Sequence, residues 1–193
     1  MTSFDFLTAP RPTEVVVAGR PVPIRCGWRR AVRTMAGGVT PAQALATWFS
    51  RDGRVDPWAL AHATDAIAAA ADWRDAALAA ALPYGGGHGR SGRTFDWVAD
   101  SAIVSADFMR IYRIDLRSWQ AHWYDFAALW SALAATEGSL VAEALRARGK
   151  PPKGASKWER KAHEAAARAW ALPPTEDERA RYELERLRAQ FEG

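Results

Sequence analysis

The chain has a single cysteine, Cys26, among 193 residues. An internal disulfide is therefore excluded, and so is a zinc site built from several thiolates. Long apolar runs are missing too. The alanine-rich stretch around Ala68 is interrupted by Asp72 and Arg74, short of the ~20 residues that cross a bilayer. The opening residues MTSFDFLTAPRP lack a basic start followed by an apolar run, so no secretory signal is expected there. A large excess of one charge is also absent: 26 Lys and Arg oppose 22 Asp and Glu, a net +4. Through residue 145 the signs balance at 14 each, and all the excess lies from Arg146 onward, where 12 bases meet 8 acids. Such an asymmetry speaks to partners and solubility rather than to fold.

What the chain does have is tryptophan and helix punctuation. Ten Trp and a hydrophobic share of 49% supply core material without covalent staples. Residues 14–25, EVVVAGRPVPIR, read as two short strands about an Ala18-Gly19 turn, with Pro21 and Pro23 confining the second strand to an edge. The rest reads as helices. GWRRAVRTMAGG stops at Gly37-Gly38. TPAQALATWF opens on Thr40 and Pro41, and DPWALAHATDAIAAAADWRDAALAAAL on Asp56 and Pro57. The second of these predicts a break near Asp72. PYGGGHGRSGR is a loop. In TFDWVADSAIVSADFMRIY, the spacing of Trp97, Ile103 or Val104, Phe108, Ile111 and Tyr112 predicts one helix. Leu116, Trp119, Trp123, Phe126, Trp130 and Leu133 follow at intervals of 3, 4, 3, 4 and 3, widened by His122 and Leu129. That stripe predicts a central helix capped by Asp115 or Ser118. SLVAEALRARG is a short helix ending at Gly149, and KPPKGAS is a linker. KWERKAHEAAARAWAL and TEDERARYELERLRAQF are charged helices separated by Pro173-Pro174. The expected fold is mainly α: a helical bundle domain over residues 1–148 with a short N-terminal β-hairpin, then residues 149–193 as a basic linker and a charged C-terminal helical hairpin.

Four features invite a chemical reading. His122 amid aromatics could serve as a base, but only Asp125 lies within helical reach, and a hydrogen-bonded core histidine is the more common outcome. GHGRSGRT, residues 87–94, approaches a phosphate-binding loop, yet Arg93 stands where the lysine belongs and no strand precedes it. Asp96, Asp100 and Asp107 could suggest a metal, but Asp107 falls off the stripe shared by the other two, and N-terminal capping accounts for Asp96. From Arg146 to Arg168 eight bases face two acids, with Trp158 inside the segment and Trp170 just beyond. Phosphate binding with base stacking is one reading. The glutamate-rich last helix argues against nucleic acid and for a protein partner. Lys157, Trp158, Arg160, Lys161 and Trp170, with Leu184, Leu187 and Phe191 on the last helix, are the candidate partner-binding residues. No catalytic, cofactor or metal residue is assigned.

The sequence resembles a phage protein family, named for the fifteenth gene product of a Listeria siphophage. The likeness begins at FDFL, runs through VVVAGRPVPIRCGWRRAVR, and is strongest in FDWVADSAIVSADFMRIYRIDL and HWYDFAALWSAL. Asp100, Ile103, Ala106, Phe108, Tyr112, Ile114, Asp115, Leu116, His122, Trp123, Phe126, Leu129 and Leu133 fit the family pattern. Arg113 departs from its usual glycine, so a different turn is expected after Tyr112, and Tyr124 replaces a tryptophan. Residues from about Gly37 to Arg93 are the weakest part of the likeness. The resemblance implies a non-enzymatic tail assembly chaperone that coats the tape-measure protein and recruits tail-tube subunits. It would act as a homo-oligomer in the cytoplasm of the bacterial host, with no cofactor and no membrane. A structural tail or head-tail connector protein of a siphophage or prophage virion is the alternative. A nucleotide-dependent enzyme and a nucleic-acid-binding protein are the remaining readings.

Overall fold

A computed structural model describes residues 4–81 and 93–191. The fold is mainly α. Strands β1 (Glu14–Val17) and β2 (Arg20–Pro23) pair antiparallel, Val15 opposite Val22. Ala18 and Gly19 both take positive φ, 46° and 78°, the two-residue turn that matches the twist of a hairpin. Helices α1 (Trp28–Met35) and α2 (Pro41–Phe49) follow. Thr40 and Gln43 close a reciprocal capping box at the start of α2. A second, very short hairpin, β3 (Ser50–Arg51) with β4 (Arg54–Val55), turns at Asp52-Gly53, also at positive φ. Asp-Gly is a strong hairpin signal, the feature of the sequence that marks this turn.

The long alanine-rich pattern divides at His62, into α3 (Pro57–Ala61) and α4 (Ala63–Ala81), rather than near Asp72. Asp56 caps α3 through Trp58 and Ala59, and α4 runs unbroken past Asp72 because Ala66, Ala70, Trp73 and Ala77 bury one face. Small residues there let α4 lie close to α6 (Trp123–Ala135), its most extensive neighbour, and to β1.

Two expected helices begin later than their apolar spacing suggests. Residues 97–100 form a turn, and α5 spans Ser101–Tyr112. Asp96 caps that turn through the Val98 and Ala99 N–H groups, while the Asp100 carboxylate is taken by Arg148. The central stripe is likewise not one helix. Leu116 and Trp119 precede α6, and neither Asp115 nor Ser118 caps it. His122 does, its Nδ1 accepting the Tyr124 N–H at 3.1 Å. The segment before it lies against the entry to α1: Trp28 N–H donates to Ala121 C=O and Trp123 N–H to Cys26 C=O. That cross-chain pairing stops the helix from starting earlier.

Helix α7 (Leu140–Arg148) packs on α5 and α6, and α8 (Lys157–Ala169) packs on α7. Helix α9 (Glu176–Phe191) follows Pro173-Pro174. Phe126 is the hub of the core. Its ring stacks on Trp28 at 4.8 Å, Phe108 at 5.2 Å and Trp123 at 5.5 Å. Four indole N–H groups, of Trp28, Trp58, Trp73 and Trp123, donate to backbone carbonyls far away in sequence. Tryptophan thus fills the core and also pins its connections.

Candidate functional site

The residues that suggested chemistry are absorbed by structure. His122 Nε2 lies 3.1 Å from the Pro12 carbonyl, and because Nδ1 accepts from Tyr124, Nε2 carries the proton and donates. Burial beside Trp73 pushes its pKa below the ordinary histidine value. Asp125 does not orient it, being held by Arg11 at 2.7 Å. His122 is therefore a neutral cap and core residue. The Cys26 thiol is half-buried, and burial pushes it up to about 11, far from a reactive thiolate.

The three aspartates do not converge. Asp100 forms a bidentate pair with Arg148, at 2.7 and 2.9 Å, and both side chains are almost wholly buried. Arg148 also donates to the carbonyls of Thr94 and Trp170, so one guanidinium joins α7, the entry to α5 and the end of α8. Asp107 is fully buried. It accepts from the Ser139 hydroxyl (2.8 Å), the Val141 N–H (3.0 Å) and Arg110 (2.7 Å). Burial alone raises its pKa, but those three donors outweigh it and hold the carboxyl below the usual range. Among the described residues no three His, Cys, Asp or Glu gather as metal ligands.

Most of the glycine loop, residues 82–92, lies outside the described residues. Arg93 at its end is engaged by Asp96 (2.8 Å) and by the Pro173 carbonyl, with Glu178 at 3.8 Å. Its charge is spent on fastening the C-terminal segment.

Two surfaces could receive a partner. The first is a cleft of about 280 Å³ between α1, α5 and α6. Trp28, Val32, Trp97, Val104, Leu116 and Phe126 supply an apolar lining, and Arg29 and Arg117 stand at it. Arg29 donates to the carbonyls of Leu116 and Arg117 and lies over the Trp28 ring, while Arg117 pairs with Asp115. Periodicity placed Trp97, Val104, Leu116 and Phe126 on apolar stripes; the structure brings them beside Trp28 and Val32 of α1 around a shallow opening.

The second surface is the C-terminal helices. Trp158 is 78% exposed, with the Lys161 ammonium 5.8 Å from its ring, and Lys157 beside both. Arg160 is exposed on the same helix. Trp170 is half-buried, its carbonyl bound by Arg148, so it belongs to the attachment of α8 rather than to this cluster. Leu184 and Leu187 are 50% and 47% exposed on α9. Phe191 ends that helix, and its side chain lies outside the described ones. The predicted residues thus fall into two separate patches, one basic and aromatic on α8 and one apolar on α9.

Comparison of the chain with protein-family models, with curated proteins and with solved structures yields no match in any of the three. Among the described residues, no helix is long and apolar enough to cross a membrane.

Proposed function

We propose that this protein is a non-enzymatic assembly chaperone of a long-tailed phage, binding the tape-measure protein and promoting tail-tube assembly in the host cytoplasm. The observation that carries the reading is the apolar cleft between α1, α5 and α6. Trp97, Ser101, Val104, Ser105, Leu116 and Phe126 of its walls come from the segments in which the phage-family resemblance is strongest. A tape-measure protein is long, helical and partly apolar, hence prone to aggregate before a tube encloses it. A cleft that takes one or two apolar side chains of a helix suits such a client. Each contact is small, so avidity along the client must come from many copies.

The test is co-expression with the neighbouring long helical reading frame. The expected result is a soluble complex, lost at least tenfold in Ser105→Trp, which fills the cleft. A client that stays insoluble and unbound overturns the proposal. Stoichiometric presence of the chain in purified virions would point instead to a structural tail or head-tail connector role.

A further inference from the structure

We infer that α9 pairs with α9 of a second copy of this chain as a parallel two-stranded coiled coil. The inference does not depend on the identity of any client. It starts from an unpartnered face. Ala180, Leu184 and Leu187 lie at intervals of four and three and are all exposed, whereas α8 rests on α7. Those intervals are the a and d spacing of a heptad, with Ala180 at d, Leu184 at a and Leu187 at d.

This register fixes the flanking positions. Glu176 and Glu183 fall at g, Arg181 and Arg188 at e. In a parallel pair each g side chain faces the e position five residues on in the other helix. Glu176 then faces Arg181 of the second copy and Glu183 faces Arg188, and the symmetry axis repeats both pairs. All four contacts are attractive. In an antiparallel pair e faces e, and Arg181 would meet Arg188 twice. The charge pattern therefore selects both a second copy and its direction.

Of the other charges, Asp177 falls at a, where its two copies would face each other at the N-terminal end of the seam, a cost that keeps the pair weak; the rest face away. Glu178 closes a capping box with Thr175 and lies near Arg93, off the seam. Tyr182, although 66% exposed, falls at f on the far side. Among the described residues neither Glu183 nor Arg188 is ion-paired within the chain. An isolated helix of this length is marginal in water, so the pair is weak and reversible, and anchoring of α9 through Pro173 and Glu178 to Arg93 lowers the cost of ordering it.

Sedimentation equilibrium of the full chain from about 10 µM to about 1 mM tests this, a range suited to weak association. The expected result is a monomer–dimer equilibrium abolished by Leu184→Glu with Leu187→Glu. Glu183→Arg should weaken it at least tenfold, and adding Arg188→Glu should restore it. Arg188→Glu alone should weaken a parallel pair and strengthen an antiparallel one. Since these side chains are exposed, the circular-dichroism melt of the body should not move. As a second measure, Ala180→Cys and Leu187→Cys should each cross-link to themselves on mild oxidation, while half-buried Cys26 stays out of the reaction. A monomer throughout the range, a dimer indifferent to the Leu184 and Leu187 changes, or cross-linking only of 180 with 187 overturns the inference. Client capture is a separate readout, so failure here leaves the chaperone proposal standing.

Discussion

Arg113 sits at φ 58°, ψ 29°, the left-handed conformation that closes α5, with its N–H bound to the Phe108 carbonyl. The phage-family pattern that the sequence resembles has a glycine here, and without it a different turn is expected. The backbone nonetheless takes the turn that glycine favours, and the arginine bears the strain. Arg113→Gly should therefore raise stability by about 0.5–1 kcal/mol, read from the urea midpoint. His122 supplies a pH dependence. Its folded pKa is depressed by burial, so between the unfolded value near 6.5 and the lower folded value the unfolded chain binds more protons. Stability should be full above about pH 6.5, fall as pH drops through that window, and level off below it. Urea midpoints measured from pH 7.5 to 5 should show this slope. It should be absent in His122→Asn, since asparagine can still cap the helix.

Asp107 shows how one element sets the start of another. It lies on α5, yet its carboxylate receives the Val141 N–H and the Ser139 hydroxyl, whose oxygen in turn accepts the Ala142 N–H. The N-terminus of α7 is thus capped from across the core. Asp107→Ala should cost about 2–4 kcal/mol, because it orphans two buried donors, and Asp107→Asn appreciably less. Chemical denaturation of the three proteins gives the comparison. Helix existence was legible in the sequence wherever a cap, proline or glycine framed an apolar rhythm, as in α2, at the start of α3, and in α7. Helix starts were not legible at Trp97 and Leu116. In both places aromatic residues keep helical spacing while long-range bonds hold the backbone out of a helix: Arg148 on Asp100 in one case, the Trp28–Ala121 pairing in the other. Spacing records which side chains meet in the core, and it is silent on whether the chain between them is helical. The candidate site divides the same way. The exposed α8 and α9 residues were visible as apolar side chains stranded in charge. The cleft was not, because Trp28, Trp97 and Phe126 come from three distant segments and each alone reads as core.

The segment from Arg146 onward carries the net positive charge of the molecule, and the tie that holds its helices is electrostatic. Arg148 joins Asp100 to the carbonyls of Thr94 and Trp170, and Arg93 reaches Pro173. Removing one member of a buried ion pair leaves an uncompensated charge. Arg148→Met should cost about 3–5 kcal/mol, and adding Asp100→Leu should recover much of it. Limited proteolysis offers a second readout: the linker at residues 149–156 should be cut faster in Arg148→Met, releasing α8 and α9 from a body that stays folded longer. Arg148→Lys should behave like the methionine variant more than like the parent, since a lysine cannot reproduce the forked contact with Asp100.

The Pro12 carbonyl accepts both the His122 ring N–H and the Trp73 indole N–H, and neighbouring Arg11 binds Asp125. During translation this acceptor is made first and its last donor arrives 110 residues later. At bacterial speeds of about 5–20 residues per second that is a wait of roughly 5–20 s. Throughout it Phe4 and Phe6, which pair edge-to-face and end up against Tyr124, lack that third ring. The N-terminal segment is a clasp that only the emergence of α6 can fasten, and nascent chains stalled short of Tyr124 should remain open to protease from their first residues onward.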